Sequence, residues 1–311
     1  MAYNLSYFYN DISEFKFLRI KMTIDTIYVT YNAEIELLQR SIESIASQVR
    51  KIYIVDNTPN KDLRLDSFKN EKTEIIYLGD NLGIAYAQNV GIKKSLENNA
   101  EFIMLSDQDT CYPQNYVDTM LKVFFYDKNI AAIAPKFIDS NKKGEDGFIE
   151  VSPVFFKQFF PKNGLHEVLQ VIASGKILQA KYLNNIGLMD EDLFIDWVDI
   201  EWCWRARNER YKIIGNADVV INHQLGDNSK NLGFREVNLR SHIRHYYITR
   251  NAFYLALYSK DLDVLHRITL FFKSFRYIVG YPILAKPHFI NLKYVLLGCW
   301  HGGTKKLGKL K

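Results

Sequence analysis

From Thr23 onward, short apolar runs alternate with longer stretches whose apolar residues recur at helical spacing. Runs rich in β-branched and aromatic residues predict strands at Thr26–Thr30, Ile52–Asp56, Glu74–Leu78, Phe102–Ser106 and Ile130–Ala134. Between them, Glu34–Gln48, Ile84–Glu97 and Asn115–Tyr126 have the period of amphipathic helices. This alternation predicts an α/β chain, with a largely parallel sheet covered by helices. Asn141–Gly147 is a polar turn, after which the pattern is less regular. Near the end, Val264, Ile268, Phe271, Phe275 and Ile278 recur on one helical face, and His266, Thr269, Lys273 and Arg276 on another.

Charge separates that last segment from the rest. The chain of 311 residues carries a net +5, yet Val264 to Lys311 alone holds nine Lys and Arg and no Asp or Glu. The remaining body is therefore about −4. A basic, aromatic tail on a mildly acidic body points to an anionic surface, with nucleic acid as the competing partner. No nucleic-acid motif accompanies the tail, so that partner is set aside. Cys111, Cys203 and Cys299 are odd in number and far apart, which fits a reducing compartment better than a disulfide framework or a zinc site. The first residues lack the apolar run of a signal peptide, and no segment has the length of a membrane span. The expected location is cytoplasmic.

In open parallel sheets, ligands sit beyond the carboxyl ends of the strands. Polar groups follow four of the predicted strands: Thr30-Tyr31-Asn32, Asp56-Asn57, Asn81-Leu82-Gly83 and Asp107-Gln108-Asp109. Turn and cap chemistry explains Asn32 and Asn57 equally well. Asp107 and Asp109 are more telling, because two carboxylates this close after a buried strand call for a cation. Hard oxygen ligands with room for phosphate oxygens suit Mg²⁺ or Mn²⁺. Asn81 to Gly91 opens a helix with small residues and includes Asn89; such a start allows close approach of a ligand to free N–H groups, or simply tight packing.

A second cluster lies in Phe194–Arg205, where Asp196, Asp199 and Glu201 sit among large apolar residues. That setting raises a carboxyl pKa and equips it as a general base. Acidic residues at a helix start also complement the dipole, and Glu201 with Arg205 has the spacing of a helical ion pair.

Taken in order, Thr30–Asn32, Val55–Asn57, Asn81–Ile92, Leu105–Thr110, Ser174-Gly175, Phe194–Arg205 and Asn222–Asp227 resemble the family 2 glycosyltransferases, and within them a bacterial rhamnosyltransferase-like group. The resemblance runs from about Thr26 to Asp227. The charge and periodicity of the tail predict a helical, basic-aromatic, membrane-associating segment over 261–311, after an extension over 1–22 and a catalytic domain over 23–260. The resemblance implies a GT-A fold for the catalytic domain, Rossmann-like, with a mostly parallel sheet flanked by helices. It places Tyr31 and Asp56 at the nucleoside, Asp107 at the ribose and Asp109 at the metal. Asp107 and the late His223 are further candidate metal ligands. Thr30, Asn32, Asn57, Asn81, Gly83, Asn89, Ser174, Gly175 and Arg205 complete the candidate donor-binding set. Asp199 falls at the position of the catalytic Asp, but Val198 stands where a Glu usually precedes it, which leaves Asp196, Asp199 and Glu201 in competition as base.

The implied activity is inverting transfer of a sugar from a nucleotide-sugar, dTDP-rhamnose or else a donor such as UDP-galactofuranose. The implied acceptor is a lipid-linked saccharide at the inner face of the cell membrane, in surface polysaccharide or O-antigen synthesis. A nucleotidyltransferase would show a Gly-rich, basic phosphate loop that Thr30–Arg40 lacks. A non-catalytic sugar-binding protein remains open if Val198 marks lost chemistry.

Overall fold

The structure is a computed structural model and describes residues 22–139, 145–152, 156–223, 229–231, 236–238 and 240–311, with the side chains of residues 139, 145, 146, 222, 223, 229–231 and 236–238 excepted. The first strands and helices follow the sequence pattern closely: β1 (Ile24–Thr30), α1 (Ile35–Ile45), β2 (Lys51–Asp56), β3 (Thr73–Tyr77), α2 (Ile84–Glu97) and β4 (Phe102–Ser106). Next come α3 (Tyr116–Leu121), which tightens into a 3₁₀ turn over Lys122–Phe125, and β5 (Ile130–Asp139). β5 runs longer than its apolar core predicts because it pairs with both a late strand and the short β6 (Glu145–Asp146).

Short pieces follow: β7 (Phe148–Ile149), β8 (Gln158–Phe159), β9 (Leu165–Glu167), β10 (Ile177–Gln179) and α4 (Leu183–Ile186). Helix α5 (Val198–Asn208) leads into β11 (Lys212–His223), and a two-stranded ribbon, β12 (Ser229–Asn231) with β13 (Glu236–Asn238), precedes three helices. These are α6 (His242–Tyr258), α7 (Val264–Leu284) and α8 (His288–Gly303).

The main sheet has the order β3-β2-β1-β4-β10-β5-β11-β9, with β6 added beside β5. β1 to β4 are mutually parallel, as are β5 and β11, whereas β10 is antiparallel to both neighbours. The three residues of β10 were not visible as a strand, since their pattern is too short to have a period. Chain order reverses at β1 and β4, and this switch point is where an open α/β sheet forms a ligand crevice. Apolar residues of alternate strand faces fill two cores, one beneath α1 and α3 and one beneath α2 and α5.

The C-terminal helices obey a different pattern. α7 turns His266, Leu270, Ser274 and Tyr281 inward, and α8 turns Asn291, Val295, Gly298 and Gly302 inward. The interface with α6 is polar and aromatic: His245 stacks on Tyr281 with ring centroids 3.9 Å apart, and its Nδ1 meets Asn291 Oδ1 at 2.7 Å. Glycine permits the close approach of α8 to α6, since a Cβ on Gly298 would lie 2.7 Å from the Tyr246 carbonyl oxygen and one on Gly302 2.5 Å from that of Arg250. His266, which periodicity groups with Thr269, Lys273 and Arg276, is buried, while Val264, Leu265, Ile268, Phe272, Phe275, Val279 and Ile283 face outward. None of the described helices is long and apolar enough to cross a membrane.

Candidate active site

The rim is built from strand ends. Asp56, paired in register with Thr30, is fully buried. Its Oδ1 accepts from Thr58 N at 3.1 Å and Thr30 Oγ1 at 3.4 Å, and its Oδ2 from Asp62 N at 2.8 Å, so the carboxylate orders the loop after β2. Asn57 and Asn81 lace the ends of β2 and β3: Asn57 Nδ2 donates to Asn81 Oδ1 at 3.0 Å, and Leu82 N donates to Asn57 Oδ1 at 2.7 Å. Gly83 N also donates to Asn81 Oδ1, at 3.1 Å. Tyr31 stands half exposed beside Asn32, whose backbone amide donates to Thr58 Oγ1. Asn89 lies inside, and its amide is taken up by the backbone of Met189 and by Glu191.

After β4, Asp107 and Asp109 sit half-buried at the surface of a buried hydroxyl network. Ser41 Oγ donates to the carbonyls of Asp107 and Thr110, and Tyr28 and Tyr112 bond Ser41 and Ser106 respectively. That network fixes the turn from below. Asp107 Oδ2 accepts a 2.6 Å bond from Ser174 Oγ.

The adjacent residue reaches the other acidic cluster. Ala173 N donates to Asp199 Oδ2 at 2.8 Å, so two consecutive residues, Ala173 and Ser174, tie Asp199 to Asp107. Gly175 holds φ +71°, and its carbonyl accepts from Tyr116 Oη at 2.5 Å, which anchors this turn over the sheet. Burial pushes the Asp199 carboxyl up; the charge of Lys176 and hydrogen bonds from two backbone amides pull it down, and Asp107 pushes it up again.

The three acidic residues of the second cluster thus separate by environment. Glu201 is buried and bound to Arg205 through two bonds of 2.6 and 2.9 Å. Arg205 also donates to the carbonyls of Ile186 and Leu188, each at 2.7 Å, so this ion pair is tied into the surrounding backbone. Burial pushes Glu201 up and Arg205 pulls it down. Asp196 is bound by Arg244 of α6 at 3.1 Å. Of the three, Asp199 is the one joined to Asp107 at the strand-end rim.

The loop before α5 is held in an unusual conformation, with positive φ at Phe194, Asp196 and Trp197. α6 acts as its splint. Asn251 Nδ2 donates to the carbonyls of Leu193, Ile195 and Asp196, Arg250 to those of Asp192 and Leu193, and Trp197 Nε1 donates to the Ile248 carbonyl. Phe194 in turn fills the space beside Gly83, where a Cβ would come within 2.6 Å of its ring. Sequence reading missed Arg250 and Asn251, which look like ordinary polar residues of an amphipathic helix. Lys176 was missed although it directly follows Ser174-Gly175.

Among the described residues, no three His, Cys, Asp or Glu side chains gather in metal-binding geometry. The side chain of His223 lies outside the described residues, although its backbone ends β11 opposite Asp139.

A sheet switching order at β1 and β4, with paired carboxylates at that crevice and a third joined to them through one turn, defines the GT-A class of fold. The chain belongs to glycosyl transferase family 2, whose model matches residues 25–185. It is 34% identical over 244 residues to the dTDP-rhamnosyl transferase RfbF of Shigella flexneri, covering 75% of this chain and 79% of the relative. Among solved structures it resembles residues 1–349 of TarS from S. aureus, with a TM-score of 0.60 and 16% identity over 92% of this chain and 82% of that one. It also resembles GalNAc-T7 solved with UDP, GalNAc and Mn²⁺, with a TM-score of 0.57 and 16% identity over 84% of this chain and 57% of that one.

Proposed function

We propose that the protein is an inverting glycosyltransferase that moves a sugar, rhamnose from dTDP-rhamnose in the first instance, onto a hydroxyl of a lipid-linked saccharide in surface polysaccharide synthesis. The observation that carries this reading is the Ala173-Ser174 bridge, which sets Asp199 and Asp107 on either side of one turn. Asp199 takes the proton of the acceptor hydroxyl as its oxygen bonds to the anomeric carbon. The bond to the diphosphate breaks in the same step, and its electron pair leaves with the diphosphate. Tyr31 offers an exposed aromatic face to the base, and Asp56, through the loop it orders, shapes the nucleoside side.

Asp107 and Asp109 suit a divalent cation, because Mg²⁺ or Mn²⁺ needs only one or two carboxylates when phosphate oxygens and water fill its remaining positions. Bound there, it would neutralise charge on the departing diphosphate. The similarity to a dTDP-rhamnosyl transferase supports the donor, with a UDP-linked sugar such as UDP-galactofuranose as the alternative. Release of nucleoside diphosphate from a panel of donors, with and without Mn²⁺, tests the reading. No release from any donor with any saccharide acceptor would leave a sugar-binding protein instead.

The outward apolar face of α7 and α8 supports work at an anionic membrane. On α8, Phe289 and Trp300 are exposed as well, and the segment from Val264 onward carries only basic charge, including exposed Arg276, Lys286 and Lys293. Aromatic anchoring beside basic residues is the means by which peripheral proteins hold lipid.

A further inference from the structure

Lys176 is fully buried, and among the described residues its Nζ has no hydrogen-bond partner. The ammonium lies 5.2 Å from the centroid of the Trp202 ring. A cation taken out of water with no hydrogen bond is strongly unfavourable, and cation–π attraction offsets only part of that cost. Folding alone gives no reason to keep it.

Its position supplies one. Lys176 closes the turn that opens at Ala173: its amide donates to the Ala173 carbonyl at 2.8 Å, and its own carbonyl accepts from Leu105 N of β4 at 2.9 Å. Within that turn, Ala173 and Ser174 hold Asp199 and Asp107. On α5, Asp199, Trp202 and Cys203 share a face, being three and four residues apart. A side chain lying against Trp202 therefore places its charge within one helical turn of the Asp199 carboxylate. The titratable groups around that carboxylate are Lys176 from the turn, Asp107 from the end of β4, and Cys203 from its own helix. Lys176 is the cation among them.

We propose that Lys176 is a positioning residue for the transfer, its buried ammonium serving as the fixed counter-charge that keeps Asp199 ionised and able to accept the acceptor's proton. This rests on Asp199 being the base. Burial and Asp107 both drive that carboxyl toward its protonated form, and Lys176 opposes them. Removing the cation raises the Asp199 pKa further, so a smaller fraction is deprotonated at a given pH, and the acid limb of the kcat profile moves to higher pH.

The test uses the full chain with saturating donor and acceptor, and compares wild type, Lys176→Met and Lys176→Arg. In Lys176→Met the acid limb is expected to move up by about one pH unit or more, the scale set by a close opposite charge. Activity should recover at alkaline pH, and donor KM should stay unchanged. Lys176→Arg should return the limb toward wild type. An unmoved limb overturns the proposal, as does a pH-independent loss accompanied by a lower Tm, which marks a packing role. A raised donor KM with an unmoved limb also overturns it, since the ammonium would then serve the diphosphate. Should Lys176→Met fail to fold, the same limb is read in Lys176→Gln. Asp199→Asn keeps the two ideas apart: if that variant is inactive while the Lys176→Met limb stays put, only the role of Lys176 fails, and if it turns over normally, the base assignment fails first.

Discussion

The sheet and the C-terminal helices use amphipathic sequence in opposite senses. In the sheet half, apolar positions point inward and polar residues gather at strand ends, so Ile24, Ile54, Met104 and Ile133 are core while Asp107 and Asp109 reach the rim. In α7 and α8, the inward positions include His266, Ser274, Tyr281 and Asn291, and the outward ones are Phe272, Val279, Phe289 and Trp300. A polar, glycine-lined interface with an apolar exterior is a poor design for a surface in water, where contiguous apolar patches of this kind mark interaction sites. The sheet half gathers polar groups at one rim, and the C-terminal helices turn apolar side chains to the outside. α6 belongs to both, because it packs on α8 and also clamps the loop leading to Asp199.

The largest effects are expected in the sheet half. Asp109→Asn should abolish turnover without lowering Tm, and excess EDTA should do the same to wild type; full activity in EDTA would remove the cation from the scheme. Asp199→Asn should lower kcat by at least about a hundredfold, the usual scale of general-base catalysis, with little change in donor KM. Asp196→Asn and Glu201→Gln should lose less activity and more stability, because each breaks an ion pair, Asp196–Arg244 or Glu201–Arg205. A dead Glu201→Gln beside an active Asp199→Asn would move the base to Glu201.

An intermediate effect tests the seam between the halves. Gly298→Leu places a side chain where even a Cβ meets the Tyr246 carbonyl oxygen at 2.7 Å. It should destabilise the protein by roughly 1–3 kcal/mol, the cost of overpacking. Because α6 splints residues 192–196, kcat should fall with it. A lowered Tm with unchanged kcat would show that the splint tolerates displacement of α8.

What was legible in the sequence follows the same divide. β1 to β4 and α2 were readable because each apolar run is long enough to show a period and is bounded by polar strand ends. The pairing of Asp199 with Asp107 was not, because it passes through Ala173 and Ser174, whose hydrogen bonds use a backbone amide and a hydroxyl that pattern cannot distinguish. Glu201 and Arg205 kept two meanings at i,i+4 spacing, and only the carbonyls of Ile186 and Leu188 at the same guanidinium favour the structural one. In α7, periodicity correctly gave a helix but could not tell which face the protein would cover. The buried His266 shows why: its Nδ1 bonds the helix-capping Asp263 at 2.8 Å, while its ring meets Phe156 edge-on, a contact that depends on tertiary packing.

The smallest effect on the folded protein, and the sharpest test of the comparison, comes from changing the outer face of α7 and α8. Deleting the tail is a poor probe, since residues 308–310 bind back to the body: Gly308 N donates to the Asp192 carbonyl at 2.7 Å, Lys309 pairs with Asp80, and Leu310 N donates to Tyr247 Oη. A truncated chain would lose both a candidate docking face and part of the support for the loop leading to Asp199. Phe272→Ser, Phe289→Ser and Trp300→Ser instead alter side chains that are 66%, 88% and 63% exposed. Exposed sites away from caps and buried networks usually change stability by no more than about 0.5 kcal/mol each. Tm and kcat toward a water-soluble acceptor analogue should therefore stay near wild type. Vesicle binding should not, because inserting a large apolar side chain contributes about 1.5–3 kcal/mol and each 1.4 kcal/mol is tenfold in affinity. The triple variant should lose at least about tenfold in partitioning to vesicles containing anionic lipid, and the wild type should release partly in high salt as its basic charges are screened. Equal sedimentation of the two proteins with vesicles would place the membrane contact elsewhere, and a triple variant that unfolds would show that this face is covered by protein.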